Sequence, residues 1–246
     1  MLVPLMMLAV GGSPAEAFEL KRNDAGDSLR WFNTVNYKIN PTNTSGIDEG
    51  EAIKVVQAAI REWSSVDGVS LKFNYQGTTK VAEAVYTDNV NTVYFEDNWP
   101  SEWDAGFLAL TYTWSVDDGE IVAFDMAINE SYAWGTSGDA SAHDLHNAMT
   151  HEIGHAVGLG HSTAADASMY PDSQMGDLSK RDLAQDDVAG LSYLYNGEVE
   201  SEQWMCATGG APTAPLLGFF AVAAAVAFRR RRQESEEGSM VEHHAH

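Results

Sequence analysis

The stretch from His151 to His161 constrains the fold more than any other part of this 246-residue chain. It reads His151-Glu152-Ile153-Gly154-His155-Ala156-Val157-Gly158-Leu159-Gly160-His161. On a helix the first two histidines, four apart, lie on one face and one turn apart, so both imidazoles can share one cation. Gly158 can take a left-handed conformation, which ends the helix and turns the chain back. His161, three residues later, then arrives as a third nitrogen ligand. Three nitrogen ligands leave the fourth tetrahedral position to water, the ligand count of a catalytic rather than a structural zinc. Glu152, beside the first ligand, is placed to touch that water and not the metal. The competing reading, histidines satisfied in a core, is poor, because a core helix rarely spends three imidazoles on one site without a cation.

The surrounding pattern predicts one domain without internal repeats. Thr34 to Asn40 alternates and is rich in β-formers, so it reads as a strand closed by Pro41. Ile47 to Val66 reads as an amphipathic helix, with Ile53, Val56, Ile60 and Trp63 at three- and four-residue spacing. Asp48, Glu49 and Glu51 complement the dipole in its first turn. Strand-like runs follow at Ser70 to Tyr75, Val81 to Thr87, Thr92 to Glu96 and Leu108 to Trp114. Another, Glu120 to Ile128, comes after the turn Asp117-Asp118-Gly119. Helices are expected from about Asp144 to Val157 and from Lys180 to Tyr195, the latter capped by Ser179 with Asp182 three residues on. Strands and one helix first, then helices, give an α+β fold with a mixed sheet.

The histidine motif resembles that of the metzincin metallopeptidases, and the rest of the domain is similar to their matrixin branch. Ser168-Met169-Tyr170-Pro171 matches the matrixin form of the methionine turn, which the resemblance places beneath the zinc. Asp144-Leu145 resembles the start of the family's active-site helix, Leu183 to Tyr195 its closing helix, and Ile53 to Phe73 its first helix and second strand. The likeness spans roughly Trp31 to Gly197. It implies a zincin-like fold with a twisted mixed sheet and a zinc endopeptidase. The implied ligands are His151, His155 and His161, the general base is Glu152, and Met169 is the floor. Peptide substrates in this family lie as an extra strand along a sheet edge, here Gly106 to Tyr112, with a pocket wall around Tyr170 to Asp172.

The departures from the family are equally specific. Matrixins commonly hold a second, structural zinc through histidines, but none of the eight histidines precedes His143, and Ala127 stands near one family ligand position. One zinc is therefore expected. Asp125, Asn129 and Glu130 are oxygen ligands by type, which fits either a calcium ion or a polar strand end. His143 and His146 read as helix-start or surface residues, since His146 is off the ligand face. The family's cysteine latch is not expected, because the only cysteine, Cys206, lies downstream.

Both ends read as addresses. Met1 to Val10 is almost wholly apolar and leads to Ala15-Glu16-Ala17, the layout of a secretory signal peptide over 1–17. No Lys or Arg precedes the apolar run, so either the true start lies upstream or the signal is atypical; an N-terminal core strand is the competing reading. After the domain, 18–197, comes a linker over 198–215 containing Cys206, Gly209 and Gly210. A hydrophobic segment, Arg229 to Arg232 and a tail occupy 216–246. The uncharged run from Ala214 to Phe228 is shorter than the roughly 20 residues of a stable span. The arginines would keep their end in the cytoplasm and leave everything upstream outside. This layout resembles the tripartite sorting tails processed by enzymes of the rhombosortase or myxosortase type. It implies export, membrane association through the segment, and processing near Cys206 or Gly209-Gly210.

Composition narrows the partners. The chain carries 14 Lys and Arg against 36 Asp and Glu, a formal charge of −22. A surface this acidic repels phosphate backbones, so nucleic acid is not an expected partner. A single cysteine in an exported protein forms no internal disulfide, which leaves core packing and metal to hold the fold. The resulting expectation is a secreted or surface-attached zinc endopeptidase acting on extracellular proteins. Two other classes stand beside it: a non-catalytic surface module that keeps the metal site, which loss of Glu152 would have favoured, and zinc hydrolysis of a non-peptide amide.

Overall fold

The computed structural model describes residues 17–88, 90–197 and 242–243. The chain divides into one unit of 1–198 with 240–246 and another of 199–239, and the described residues all lie in the first. The expected signal segment before Ala17, together with Cys206, Gly209, Gly210, the hydrophobic segment and the arginine block, falls outside the described residues. Among the described residues no helix is long and apolar enough to cross a membrane.

The architecture is α+β. Five strands form a mixed sheet in the order β2-β1-β3-β5-β4. They are β1 (Val35–Ile39), β2 (Phe73–Thr78), β3 (Asn91–Glu96), β4 (Ala109–Ser115) and β5 (Ile121–Asn129). β1 runs parallel to β2 and β3, β3 parallel to β5, and β4 antiparallel to β5. The β4–β5 turn is the Asp117-Asp118-Gly119 segment, with Gly119 N–H donating to the Val116 carbonyl at 2.9 Å. Short strands β6 (Trp134–Gly135) and β7 (His143–Asp144) pair separately, and β8 (Glu242–His243) pairs with Thr113 and Trp114 of β4. From Ala109 to Tyr112 no described strand lies on the outer side of β4.

Helix α1 (Glu49–Ser64) starts at Asp48, whose side chain accepts from the Glu51 N–H at 3.1 Å. Its apolar face, including Val56, Ile60 and Trp63, is buried as the spacing predicts. Helix α2 (Leu145–Ala156) starts at Asp144, which accepts from the Asn147 N–H at 3.0 Å. Val93, Phe95, Phe124, Met126 and Ile128 face these helices and form the main core. The other sheet face carries a second, aromatic cluster built on Leu110, Tyr112, Trp114 and Ala123.

Two expected elements differ. Val81 to Thr87 is not a strand; the segment ends in a 3-10 turn, Tyr86–Asp88. β3, the strand it leads into, has no free side for it, being flanked by β1 and β5. Instead the Val85 N–H donates to the Asp125 carboxylate at 2.9 Å. The last helix, α3, covers Gln185–Asn196 rather than starting at Lys180, and Ala184, not Ser179, is its N-cap. Lys180 and Arg181 are held instead at the start of α2: Lys180 N–H donates to the Asn147 side chain at 2.6 Å, and Arg181 Nε to Asp144 at 2.9 Å.

Candidate metal centre and cleft

Helix α2 presents His151 and His155 on one face, with ring centroids 4.8 Å apart. Trp63 and Trp31 fix its position, donating indole N–H groups to the carbonyls of Thr150 and Ala156 at 2.8 Å each. The helix ends where expected. Gly158 has φ of +105°, and a Cβ there would stand 1.9 Å from the Leu29 carbonyl oxygen. Beyond that turn, His161 arrives 5.2 Å from the His151 ring and 4.9 Å from the His155 ring. The three candidate ligand nitrogens all lie within 4.8 Å of one another, the only such cluster among the described residues.

The donor set fits zinc. His151 Nδ1 is 2.7 Å from the Ser168 carbonyl and His155 Nδ1 is 2.9 Å from the Leu159 carbonyl. A carbonyl only accepts, so each Nδ1 carries the hydrogen and each Nε2 keeps its lone pair. The Nε2 of His155 is buried without a protein partner, a costly state that a cation relieves. Burial, reinforced by the Lys180 ammonium, lowers His151 to about 3. Burial, helped by His151, holds His155 well below its usual value. Both rings are thereby kept in the neutral form that binds metal.

Glu152, 7% exposed, faces the same space. Its Oε2 accepts from the Thr111 hydroxyl on β4 at 2.6 Å. Burial pushes its carboxyl up to about 7, against the opposing pull of that hydrogen bond and of the ammoniums of Lys21 and Lys180. A carboxyl poised near neutrality suits proton transfer at neutral pH. Thr111, Lys21 and Lys180 escaped the sequence reading. Thr111 touches Glu152 and the two lysines act on it through their charge, each from a different part of the chain, and no local spacing marks such a relation.

Met169 lies directly under α2. A Cβ at Gly154 would stand 2.2 Å from its sulfur and 2.7 Å from Trp63, so the glycine between the first two histidines admits the methionine. The turn is held by Asp187 of α3, whose carboxylate accepts from the N–H groups of Ser168 at 2.7 Å and Met169 at 3.0 Å. Beside the triad runs a cleft of about 490 Å³, lined by Gly106 to Ala109, Tyr132, Ala148, Pro171 to Ser173 and Lys180, with Glu152, His151 and His161 at its side. The expected substrate strand and pocket wall thus border one cavity. His143 lines it as well and is buried, not a surface residue. His146 is half-buried in the first turn of α2.

The oxygen ligands considered for calcium are not gathered. Asp125 accepts from the backbone N–H groups of Val85 and Thr92. Asn129 bridges Phe107 and Ser131. Glu130 accepts from Thr44 and Ser45. Asp125 and Asn129 also stand four residues apart on one strand, about 13 Å.

The family model for matrixin matches residues 30–196. The chain belongs to the matrixin family. Matrixins bind zinc, and the triad is the group here that fits it. Relatives include Metalloendoproteinase 2-MMP of Arabidopsis thaliana, 32% identical over 59% of this chain and 37% of that protein. Matrix metalloproteinase-20 of Homo sapiens is 31% identical over 66% of this chain and 31% of its own length. Matrilysin of Rattus norvegicus is 27% identical over 69% of this chain and 60% of its own. The chain thus spans about a third of the length of the first two relatives.

Proposed function

We propose that this chain is a zinc-dependent endopeptidase that cleaves peptide bonds of extracellular proteins. The observation that carries the proposal is a histidine triad, with His151 and His155 kept neutral, and a buried Glu152 side by side on the wall of a cleft bordered by an open strand edge. His151, His155 and His161 would hold the metal, with Met169 as the packed floor beneath. A zinc ion there supplies Lewis acidity to the scissile carbonyl and makes water acidic enough to attack at neutral pH. Glu152 takes the proton of the attacking water and delivers it to the departing amine. Thr111 orients the Glu152 carboxylate through its hydroxyl. The outer edge of β4 offers backbone groups to an extended substrate, which gives affinity with little sequence choice. Choice comes from the cleft, whose wall includes Leu108, Ala148 and Pro171, with the Lys180 side chain among them.

The ends of the chain complete the proposal. Residues 1–17 act as an export signal, 18–197 as the peptidase domain and 198–215 as a linker carrying the sorting residues Cys206, Gly209 and Gly210. The apolar segment and arginines in 216–246 hold the chain in the membrane until a sorting protease acts. Names such as matrix metalloproteinase and interstitial collagenase among the relatives support an extracellular site of action.

Cleavage of an unstructured protein by the full chain is the test. Activity should stop with a zinc chelator, return with added zinc, and fall about 10³-fold in Glu152→Gln while zinc is still bound. Tight zinc binding without cleavage of any unstructured protein would replace the peptidase by a metal-bearing surface module.

A further inference from the structure

The sheet face turned away from the helices carries a cavity that the peptidase reading does not use. It has a volume of about 230 Å³ and is lined by Tyr94, Trp103, Tyr112, Trp114, Glu83 and Glu96, among others. Strand alternation sets this up: Tyr94 and Glu96 project from one side of β3 while Val93 and Phe95 fill the main core on the other. On β4, Tyr112 and Trp114 project to the same outer side as Leu110.

The rings form walls rather than a flat platform. Tyr112 and Trp114 stack at 5.9 Å and 19°, whereas Trp103 leans over Tyr112 at 5.7 Å and 51°. Trp99 buttresses Trp103 edge-on at 4.7 Å and 75°. Tyr94 is 1% exposed, and its hydroxyl is buried with no hydrogen-bond partner. A hydroxyl in that state is destabilising unless a ligand or water reaches it. Among the described residues neither Glu83 nor Glu96 is in an ion pair. Aromatic faces attract cations through their quadrupoles, and two carboxylates of one sign add to that field.

We propose that this cavity binds an N–H-bearing organic cation, the ammonium or guanidinium head of a lysine or arginine side chain on a polypeptide. The head would sit against the faces of Trp103, Tyr112 and Trp114, its N–H groups donating to the Tyr94 hydroxyl oxygen and to the carboxylates of Glu83 and Glu96. A neutral sugar would leave both carboxylates uncompensated. A calcium ion requires six to eight oxygen ligands, more than this aromatic lining offers. None of its residues belongs to the triad or its cleft, and it meets the peptidase reading only at Tyr112, the last residue of the expected substrate strand.

The test titrates the full chain with N-acetyl-lysine methylamide and N-acetyl-arginine methylamide while following tryptophan indole N–H signals by NMR. Saturable shifts at Trp103 and Trp114 are expected. Affinity should drop at least about tenfold in Trp103→Leu and in the double variant Glu83→Gln/Glu96→Gln, and about threefold in Tyr94→Phe. Glu83 is exposed and Glu96 half-exposed, so an unchanged melting temperature in the double variant separates lost binding from lost fold. N-acetylnorleucine methylamide should not bind, and tetramethylammonium, which has no N–H, should bind more weakly. Equal binding of the norleucine derivative, unaltered binding by the double variant, saturation by calcium alone, or no saturable shift would each overturn the proposal. Because cleavage is not the readout, failure here leaves the peptidase reading untouched, and the converse holds.

Discussion

Replacing Gly158 by alanine adds one methyl group where α2 ends and the chain turns toward His161. Two costs arise there. At φ of +105° an L-residue is strained, by about 1–2 kcal/mol on the left-handed scale. The methyl would also stand 1.9 Å from the Leu29 carbonyl oxygen and 3.0 Å from Leu194 Cδ2. That carbonyl cannot swing aside freely, because Leu29 N–H donates to the Lys21 carbonyl and Arg30 N–H to the Gly119 carbonyl, each at 2.9 Å. Forcing a methyl into packed surroundings costs about 1–3 kcal/mol. Together the substitution should destabilise the domain by about 2–5 kcal/mol, a fall in melting temperature of roughly 10 °C.

Gly160→Ala is the matched control, two residues further on. Its methyl would meet the Cβ of Glu19 at 3.1 Å, with the carbonyl carbon and oxygen of Glu19 at an ordinary 3.5 Å. The Glu19 Cβ needs to shift by only a few tenths of an ångström and no positive φ is involved, so the expected loss is about 1 kcal/mol. Full-chain variants would be melted by circular dichroism in chelator, which removes the metal's own contribution to stability. Zinc affinity would then be read by competition with a chromophoric chelator. Gly158→Ala should also bind zinc more weakly, since His161 loses its approach. A Gly158→Ala protein melting within about 2 °C of wild type, or a Gly160→Ala protein falling as far, would refute the steric reasoning.

Three further outcomes follow from other contacts. Thr111→Val keeps the shape but removes the hydroxyl that donates to Glu152 at 2.6 Å; cleavage efficiency should fall at least about tenfold with zinc affinity unchanged, and an unaltered rate would strip Thr111 of its orienting role. Arg181→Met leaves the Asp144 carboxylate, whose side chain is 0% exposed, without its ion pair; urea unfolding should report a loss of about 3 kcal/mol. Burial raises Asp125 from 3.8 to about 7, opposed by the Thr92 and Val85 N–H groups. Its folded value then exceeds its unfolded one, so its contribution is intact below pH 3.8 and lost as pH rises through about 7, by at most about 4 kcal/mol. The stability advantage of wild type over Asp125→Asn should accordingly shrink between pH 4.5 and 7.5, and an advantage that grows would mean that the two N–H donors outweigh burial.

What the sequence made legible was chemistry encoded by local spacing. His151 and His155 meet because four residues make one helical turn, and Gly158 announces the turn that brings His161 to them. The buried face of α1 follows from Val56, Ile60 and Trp63 in the same way. The missed features depend on what another part of the chain occupies. Val81 to Thr87 has strand composition, but β5 had already taken the free side of β3. Lys180 and Arg181 have helical neighbours, but Asn147 of α2 and its N-cap Asp144 claim them first. His143 reads as a helix-start or surface residue; it does stand just before the α2 N-cap, but Tyr132 and Trp134 close around its ring, with centroids at 5.4 and 6.0 Å.

The acidic residues show the same division, and here it changes the physical account. In the sequence they read as a mostly solvated face, and most of those among the described residues are exposed. A few instead clamp loops, by accepting from backbone N–H groups that would otherwise be orphaned. Asp187 takes three, from Ser168, Met169 and Ala184, so one carboxylate fixes the methionine turn and the start of α3 together. Asp125 takes two and ties the β2–β3 connection to β5, and Glu130 gathers Thr44 and Ser45 ahead of α1. Charge-assisted bonds of this kind are about twice as strong as neutral ones. In a chain whose only cysteine is Cys206, these carboxylates stand beside the Trp31 and Trp63 indoles as ties between segments distant in sequence.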